Sequence, residues 1–420
     1  MQIAIFLILL TKFHTILTSR CDSEVTFDFD NNHPWNTKLI LGSGTFGTVF
    51  KYYVEKNDIT NGKKVKLYGK YKYGTLIPIA LKVLHNTKGS FDQRYKLTKE
   101  LEEEVDNLKL VNNISQEISP IFYRCGKTYG GTMFIAMEYI QESLDKALKS
   151  KCNYHIRDRL YMYADLMYVT MKLHAQHRSH CDLKPQNIGY DSELRFKLLD
   201  LGIMAKNGKC SIGTPYYIAP EVEGVNTSPK DTASDIYSLG MMFWYIEDNC
   251  RKRILKENSI INKNSLKYFI RTVKNIKDTS VQNAKDKPKK SPFYNFRVLF
   301  FRVMYRVLSS MVNFESYKRP NADQLRRTFV GFKYLYGRVD KIRLPLLAEE
   351  NQLVNKFTTT LSKLDKEGMD KLSDSEISKL EEIVTYKPEA KNNQENLPRN
   401  NHVKYRPRKN NPNGKHMYVI

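Results

Sequence analysis

Five short motifs, in a fixed order along the chain, constrain its fold more than any other feature of the sequence. A glycine-rich segment at residues 42–49 precedes an apolar run at 77–84 that contains a single lysine. The sequence H-C-D-L-K-P-Q-N follows at 180–187, D-L-G at 200–202, and G-T-P-Y-Y-I-A-P-E at 213–221. Glycines let a backbone approach a ligand closely, and the alternating pattern around them predicts two strands joined by a turn. Each motif alone is weak evidence, but together and in this order they indicate one fold.

The order of these motifs resembles that of the eukaryotic protein kinase family. The resemblance implies an α+β, two-lobed protein kinase fold, with a small lobe of antiparallel β-sheet and one helix and a large helical lobe. It covers residues 37–336, and the small lobe is expected to end near residue 140. It also implies ATP and Mg²⁺ as cofactors and a protein as the substrate.

The resemblance implies a role for each polar residue of the two central motifs. Asp182 would orient the substrate hydroxyl and accept its proton, and Lys184 would offset charge on the transferred phosphate. Asn187 and Asp200 would hold magnesium, a hard cation that prefers oxygen ligands.

An ion pair in the small lobe is implied as well. Lys82 would bind the α- and β-phosphates of ATP, and it needs a carboxylate partner from the helix that follows its strand. Glu104 best matches the family's spacing, because Leu108 then faces the core one turn later, and Glu100 is the alternative.

The nucleotide would lie between the glycine-rich turn and the hinge that joins the lobes. Met137 occupies the gatekeeper position, and the backbone of residues 138–140 would hydrogen-bond adenine. Gly189 stands where the family usually has an apolar side chain beneath the ring, so a looser floor is expected there. The residues that the resemblance places around ATP are Leu41, Gly42, Ser43, Gly44, Thr45, Phe46, Gly47, Val49, Ala80, Lys82, Met137, Glu138 and Ile140.

The substrate class is indicated by two features. Lys184, two residues after the catalytic acid, and the G-T-P sequence both resemble serine/threonine kinases, and Thr214 would then contact Asp182 and Lys184. The substrate would therefore be a protein that bears Ser or Thr. Three further residues match positions that brace the large lobe in the family: Glu221, Asp235 and Arg319.

The residue before the catalytic acid departs from the family. Most members have an Arg there, which binds a phosphate on the activation segment, but this chain has Cys181. Cys210, followed by Ser211, falls where many kinases place the activating phosphothreonine. Our hypothesis is that Cys181 and Cys210 form a disulfide in an oxidising lumen, with α-carbons roughly 4.4–6.8 Å apart. The alternative is two unrelated thiols in a kinase that is active without phosphorylation of this segment.

The N-terminal residues predict a location. An apolar run at residues 3–10 is too short for an ordinary membrane span, and small and polar residues follow it. This pattern predicts a signal peptide at 1–19, an irregular lead-in at 20–36, a protein in the secretory pathway or secreted, and no transmembrane segment after cleavage. The alternatives are a buried N-terminal strand or helix, an uncleaved anchor, or a cytoplasmic enzyme without a signal.

The formal net charge of +23 favours acidic partners, so an acidic protein substrate is one expectation. An AT-rich coding sequence would supply much of this charge without any partner. No specific nucleic-acid partner is predicted, and we expect a monomer.

Periodicity predicts further elements along the chain. Ser234 is the expected N-cap of a helix that ends at Glu247. Beyond residue 336 the resemblance ends, and a helical extension is predicted at 337–390 and a basic, disordered tail at 391–420. The other expected elements are a strand at 77–84 and helices at 95–110, 157–177 and 297–312.

Three classes of function fit these motifs. An active serine/threonine protein kinase is favoured, because none of the residues named above for catalysis or metal binding has been lost. A catalytically weak scaffold on a kinase fold comes second. An enzyme acting on a small molecule or lipid comes third, because the G-T-P and A-P-E sequences favour protein substrates.

Overall fold

A computed structural model describes residues 26–27, 40–43, 47–54, 77–84, 91–128, 132–191, 195–206, 209–225, 227–228, 231–250 and 294–339. Several predictions from the sequence lie outside these residues. They are the signal peptide, most of the lead-in, the turn residues Gly44, Thr45 and Phe46, the C-terminal extension beyond Val339, and the basic tail.

The small lobe is a six-stranded sheet with one long helix. The strands lie in the order β1-β5-β6-β4-β3-β2, and all neighbours are antiparallel except the edge pair β1 and β5. The helix α1 (Phe91–Ile114) joins β4 to β5 and extends beyond the predicted range at both ends. The strands are β1 (Thr26–Phe27), β2 (Ile40–Ser43), β3 (Gly47–Val54), β4 (Ile77–Leu84), β5 (Phe122–Thr128) and β6 (Met133–Glu138).

Strand β4 has the bounds that the sequence predicted, and its alternation explains its place in the sheet. Alternate side chains of a strand point to opposite faces. Ile79 and Leu81 belong to an apolar cluster that includes Phe134 of β6. Ala80 and Lys82 therefore point to the other face of the sheet, where α1 packs.

The large lobe is mostly helical, and aromatic side chains from three of its helices pack together in its core. Tyr163 of α3 stacks on Phe243 of α5, with ring centroids 4.0 Å apart, and Phe329 of α7 lies 5.4 Å from Tyr163. The helices are α2 (Leu144–Ser150), α3 (Ile156–His174), α4 (Pro220–Glu223), α5 (Ala233–Glu247), α6 (Tyr294–Met311) and α7 (Ala322–Val339). Short strands between them are β7 (Glu142–Ser143), β8 (Arg178–Ser179), β9 (Ile188–Tyr190), β10 (Phe196–Leu198) and β11 (Ala205–Lys206). The two-lobed α+β architecture is thereby confirmed.

The predicted N-cap of α5 is wrong. The helix begins at Ala233, and Ser234 lies inside it, where its hydroxyl donates to the carbonyl of Asp231 at 3.0 Å. The carboxylate of Asp231 instead accepts from the amide of Ala233 at 2.8 Å. An acidic side chain two residues before Ala233 thus satisfies a free amide at this helix start, as capping side chains do.

Two disulfides lie in the described part of the large lobe. Cys181 pairs with Cys210, and Cys152 pairs with Cys250, with α-carbons 5.4 and 5.8 Å apart. The second pair was not predicted, because its members are 98 residues apart. Closing a loop of that length stabilises a fold by about 4–5 kcal/mol in the chain-entropy model.

Among the described residues, we find no helix that is both long enough and apolar enough to span a membrane.

Candidate active site

The ion pair predicted for the small lobe is present. Lys82 on β4 places its Nζ 2.8 and 2.6 Å from the two carboxylate oxygens of Glu104 on α1. Both residues are buried, whereas the alternative partner, Glu100, lies 4.0 Å from Lys96 instead. Lys82 is therefore held by Glu104, with its ammonium group fixed in position.

The same lysine also contacts the D-L-G motif. Its Nζ lies 3.3 Å from Oδ1 of Asp200, which has a left-handed backbone with φ of 57°. Burial alone would lower the pKa of Lys82, but the charges of Glu104 and Asp200 raise it above its usual value. Burial alone would raise the pKa of Asp200, but the Lys82 ammonium lowers it below its usual value. The lysine thus stays charged and Asp200 stays ionised near neutral pH.

The carboxylate of Asp182 accepts hydrogen bonds from three neighbours. Lys184 Nζ and Asn187 Nδ2 donate to Oδ2 at 2.8 and 2.9 Å. The amide and hydroxyl of Thr214 donate to Oδ1 at 3.1 and 2.5 Å, and Lys184 also donates to that hydroxyl at 2.7 Å. The predicted contacts of Thr214 with Asp182 and Lys184 are confirmed. These bonds fix the acid's orientation.

Asp235 anchors the backbone of the catalytic loop, as the resemblance implied. Its buried carboxylate accepts from the amides of His180 and Cys181 at 2.8 and 2.9 Å, and it lies 2.9 Å from Nε2 of His174. Burial would raise the pKa of Asp235, but the hydrogen bond with His174 lowers it. This carboxylate holds Cys181 in a left-handed conformation, with φ of 70°. Strain of this kind is common at active sites and persists only where neighbours enforce it.

The two candidate magnesium ligands suit a hard cation. The amide nitrogen of Asn187 donates to the carboxylate and the carbonyl of Asp182, so its amide oxygen remains available as a ligand. The backbone carbonyl of Asn187 accepts a hydrogen bond from the amide of Leu199, which directly follows β10. This bond places Asp200, the next residue, close to Asn187. One carboxylate and one amide oxygen fit Mg²⁺, which protein sites usually bind with one or two carboxylates plus substrate phosphates.

Residues predicted to surround ATP flank the glycine-rich turn on β2 and β3. Gly47 pairs with Leu84, and a Cβ at position 47 would overlap the carbonyl of Val83, so only glycine fits there. Val49 pairs with Lys82 across the sheet, and Leu41 is exposed beyond it. Gly42 and Ser43 lie on β2, and Ser43 Oγ is 3.2 Å from the hydroxyl of Thr48.

The predicted gatekeeper and hinge lie at the end of β6. Met137 pairs with Ala80 of β4, beside the lysine-bearing segment. The carboxylate of Glu138 accepts from Lys197 Nζ at 2.5 Å and from the amide of Ile121 at 3.0 Å. Its side chain is therefore engaged in bracing the hinge, so only its backbone is suited to contact a nucleotide.

The expected looseness beneath the adenine ring is not found. A Cβ at Gly189 would lie 2.5 Å from Cγ2 of Ile140 and 3.1 Å from Cδ1 of Leu199. Ile140 of the hinge therefore occupies the space that an apolar side chain at position 189 would fill. The sequence did not predict that Ile140 fills the space at position 189, because the two positions are far apart along the chain.

Replacing Gly189 with Ala should weaken ATP binding roughly tenfold, because overpacking of this kind costs about 1–3 kcal/mol. Ile140 would have to move, and with it the hinge. Titration of nucleotide binding would measure the effect. In the Ile140→Ala background the same change should cost little, since the clashing methyl group is gone. Equal losses in both backgrounds would contradict this view of the site.

A buried ion pair links Glu221, the last residue of the 213–221 segment, to the rest of the large lobe. Arg319 donates to the two oxygens of Glu221 at 2.6 and 2.8 Å, and both side chains are fully buried. Arg319 also donates to the carbonyls of Asn313 and Ala233 at 2.7 and 3.0 Å. The predicted structural pair is present.

Some residues that position the site were not singled out from the sequence. Asn107 of α1 donates to the carbonyl of Leu201 at 2.8 Å and so ties the helix to the D-L-G motif. His180 lies 2.8 Å from the carbonyl of Leu199. His180 was visible as the first letter of its motif, whereas nothing local marked Asn107.

Comparison with known proteins agrees with this geometry. A family model described as the protein kinase domain matches residues 35–329. Curated relatives named "Dual serine/threonine and tyrosine protein kinase" match 28% of this chain. The relative from Pimephales promelas is 33% identical over 124 residues, and those from Gallus gallus and Homo sapiens are 34% identical over 123 residues. The match spans only 13% of the length of each relative. Because the family model covers more than half of the 420 residues, the chain belongs to the protein kinase family.

Proposed function

We propose that this protein transfers the γ-phosphate of Mg-ATP to serine or threonine hydroxyls of protein substrates. The observation that carries the proposal is the pair of contact sets around Lys82 and around Asp182. Lys82 bridges Glu104 and Asp200, while Asp182 is held by Lys184, Asn187 and Thr214. The side chains that the family resemblance assigns to phosphoryl transfer are all in the chain, and hydrogen bonds hold each of the two sets in place, which supports this function.

Each side chain has a task in this reaction. Lys82, kept charged by its carboxylate neighbours, binds the α- and β-phosphates. Asp182 aligns the substrate hydroxyl and accepts its proton, and Lys184 stabilises charge that develops on the transferred group. Asn187 and Asp200 would hold Mg²⁺, which neutralises phosphate charge when bound. A catalytically weak scaffold is disfavoured, since none of these groups has been lost.

The preference for serine and threonine rests on Lys184 and Thr214. Lys184 lies between the catalytic acid and the Thr214 hydroxyl, with 2.8 and 2.7 Å contacts. Dual specificity is the second candidate, favoured by the names of the relatives. Incubating the purified protein with Mg-ATP and peptides that each carry Ser, Thr or Tyr as the sole hydroxyl residue would distinguish the two specificities. Phosphate on Ser or Thr alone supports the proposal, phosphotyrosine as well supports dual specificity, and no transfer to any peptide refutes a kinase function.

We also propose that the protein works in an oxidising compartment, in the secretory pathway or outside the cell. Two disulfides in one lobe support this location, because disulfides persist in oxidising compartments and are rare in the cytosol. The apolar segment at residues 3–10 is consistent with a signal peptide. N-terminal sequencing of the mature protein, with fractionation of its native cells, tests the proposal. An uncleaved N-terminus in the cytosol would refute it.

A further inference from the structure

The disulfide between Cys181 and Cys210 joins the catalytic loop to the activation segment. Cys181 directly precedes the catalytic acid, and Cys210 lies four residues before Thr214, which bonds to that acid. The two α-carbons are 5.4 Å apart, and both cysteines are buried, at 8% and 2% exposure. The bond therefore lies inside the protein and next to the reacting groups.

The segment is attached to the catalytic loop on either side of this bond. Before it, β11 pairs with β8, with Ala205 opposite Ser179. After it, Thr214 donates twice to Asp182. A Cβ at Gly213 would lie 3.2 Å from the carbonyl of Cys181, so the segment passes close to the loop here as well.

The loop end of the disulfide is itself immobilised. The amide of Cys181 donates to the buried carboxylate of Asp235 at 2.9 Å. The segment end is less constrained, because Ser211 and Ile212 are exposed between the cysteine and Gly213. The disulfide is thus the covalent link that transmits the fixed position of the loop to an otherwise exposed stretch.

We infer that Cys181 and Cys210 are positioning residues whose disulfide holds the activation segment so that Thr214 reaches Asp182. This inference rests on the proposed kinase function. The pair does the work that a charge contact between an arginine and a phosphate would otherwise do, so phosphorylation of this segment is not required for activity.

The bond forms once, during folding. Two thiols exchange with a disulfide donor, such as a disulfide oxidoreductase or glutathione disulfide. The Cys181–Cys210 bond forms, the donor's S–S bond breaks, and the donor leaves as two thiols, so two electrons and two protons are transferred to it. Because both sulfurs are buried, an attacking thiolate has little access to the finished bond. The disulfide is therefore a structural bond and not a reversible redox switch.

Variants that remove this bond should lose turnover and keep ATP affinity. We expect Cys181→Ser/Cys210→Ser to lower kcat roughly tenfold to a hundredfold, since small misplacements of reacting groups have effects of that size. The KM for ATP should stay within about twofold, because Lys82 and its partners are untouched. The control, Cys152→Ser/Cys250→Ser, removes the second disulfide of the described part of the large lobe and should lower the melting temperature without changing kcat at a temperature where it is folded.

The two single variants distinguish the effect of losing the disulfide from the effect of altered side-chain packing. Cys181→Ser and Cys210→Ser should each match the double variant, because either change removes the same bond. Additive losses from the two changes, or wild-type kcat in the double variant, would overturn the inference. Mass spectrometry of the non-reduced protein that shows either thiol free would also overturn it.

Hydrogen exchange provides a readout that does not depend on catalysis. The Thr214 amide, which donates to Asp182, should exchange at least tenfold faster in the Cys181→Ser/Cys210→Ser variant than in the wild type or the control. Unchanged exchange would refute the positioning role even in an inactive protein. If the wild type transfers no phosphate yet the exchange difference is found, the proposed function fails and the positioning role stands.

Discussion

Replacing Asp182 with Asn should lower kcat roughly a thousandfold, because general-base assistance and substrate orientation are lost together. The carboxylate accepts four hydrogen bonds, from Lys184, Asn187 and twice from Thr214. An amide has one oxygen that accepts and an NH₂ group that only donates. Both oxygens of Asp182 face donors, so the NH₂ group of an asparagine would face a donor in either orientation. The new side chain can neither accept the substrate proton nor keep the present set of bonds.

ATP binding should survive this substitution. Lys82, Glu104 and Asp200 make no contact with Asp182 that the structure describes, so the phosphate-binding lysine keeps its partners. Kinetic assays with a phosphate-accepting peptide would give kcat, and nucleotide titration would give the affinity. Asp158→Asn is the matched control, because its carboxylate is 45% exposed and, within the described part of the chain, forms its ion pair with the neighbouring Arg157. Turnover near the wild-type rate in Asp182→Asn would refute the assigned role.

Replacing Arg319 with Met should destabilise the fold by about 3–5 kcal/mol, the usual cost of leaving a buried charge without its partner. Glu221 would keep a fully buried carboxylate and lose both of its short hydrogen bonds to the guanidinium. The carbonyls of Asn313 and Ala233 would lose a donor at the same time. Since Glu221 is the last residue of the 213–221 segment that carries Thr214, activity should fall with stability.

Chemical denaturation and the melting temperature would measure this loss. Changing Lys318, the adjacent cation, to Met is the control, because its pair with Glu315 is exposed and such pairs contribute about 0–1 kcal/mol. The double variant Glu221→Met/Arg319→Met should be more stable than Arg319→Met alone, since no charge is then left buried. A loss below about 1 kcal/mol in Arg319→Met would show that the pair is not a principal brace of the lobe.

Much of the site could be predicted because its residues are close together in the sequence. Asp182, Lys184 and Asn187 lie within six positions, and a turn of fixed geometry brings them into contact. The strand at Ile77–Leu84 was likewise predicted with its bounds, because its apolar run and its lysine are local features.

Predictions that depended on packing between distant elements were less complete. The family's spacing favoured Glu104 and left Glu100 as the alternative, and the orientation of α1 against β4 confirms Glu104. The filling of the space at Gly189 by Ile140 depends on how the hinge crosses β9. That contact between residues 140 and 189 is not encoded by the spacing of neighbouring residues.

Local motifs were enough to identify the chemical groups of this protein and the order in which they occur. The sequence also supplied Cys181 and Cys210 as a hypothetical pair. Packing of distant elements brings these two sulfurs together, pairs Cys152 with Cys250, and places Lys82 between carboxylates from both lobes. Local motifs need only short-range backbone geometry, whereas contacts across 29, 98 or 118 residues exist only after helices and strands have packed.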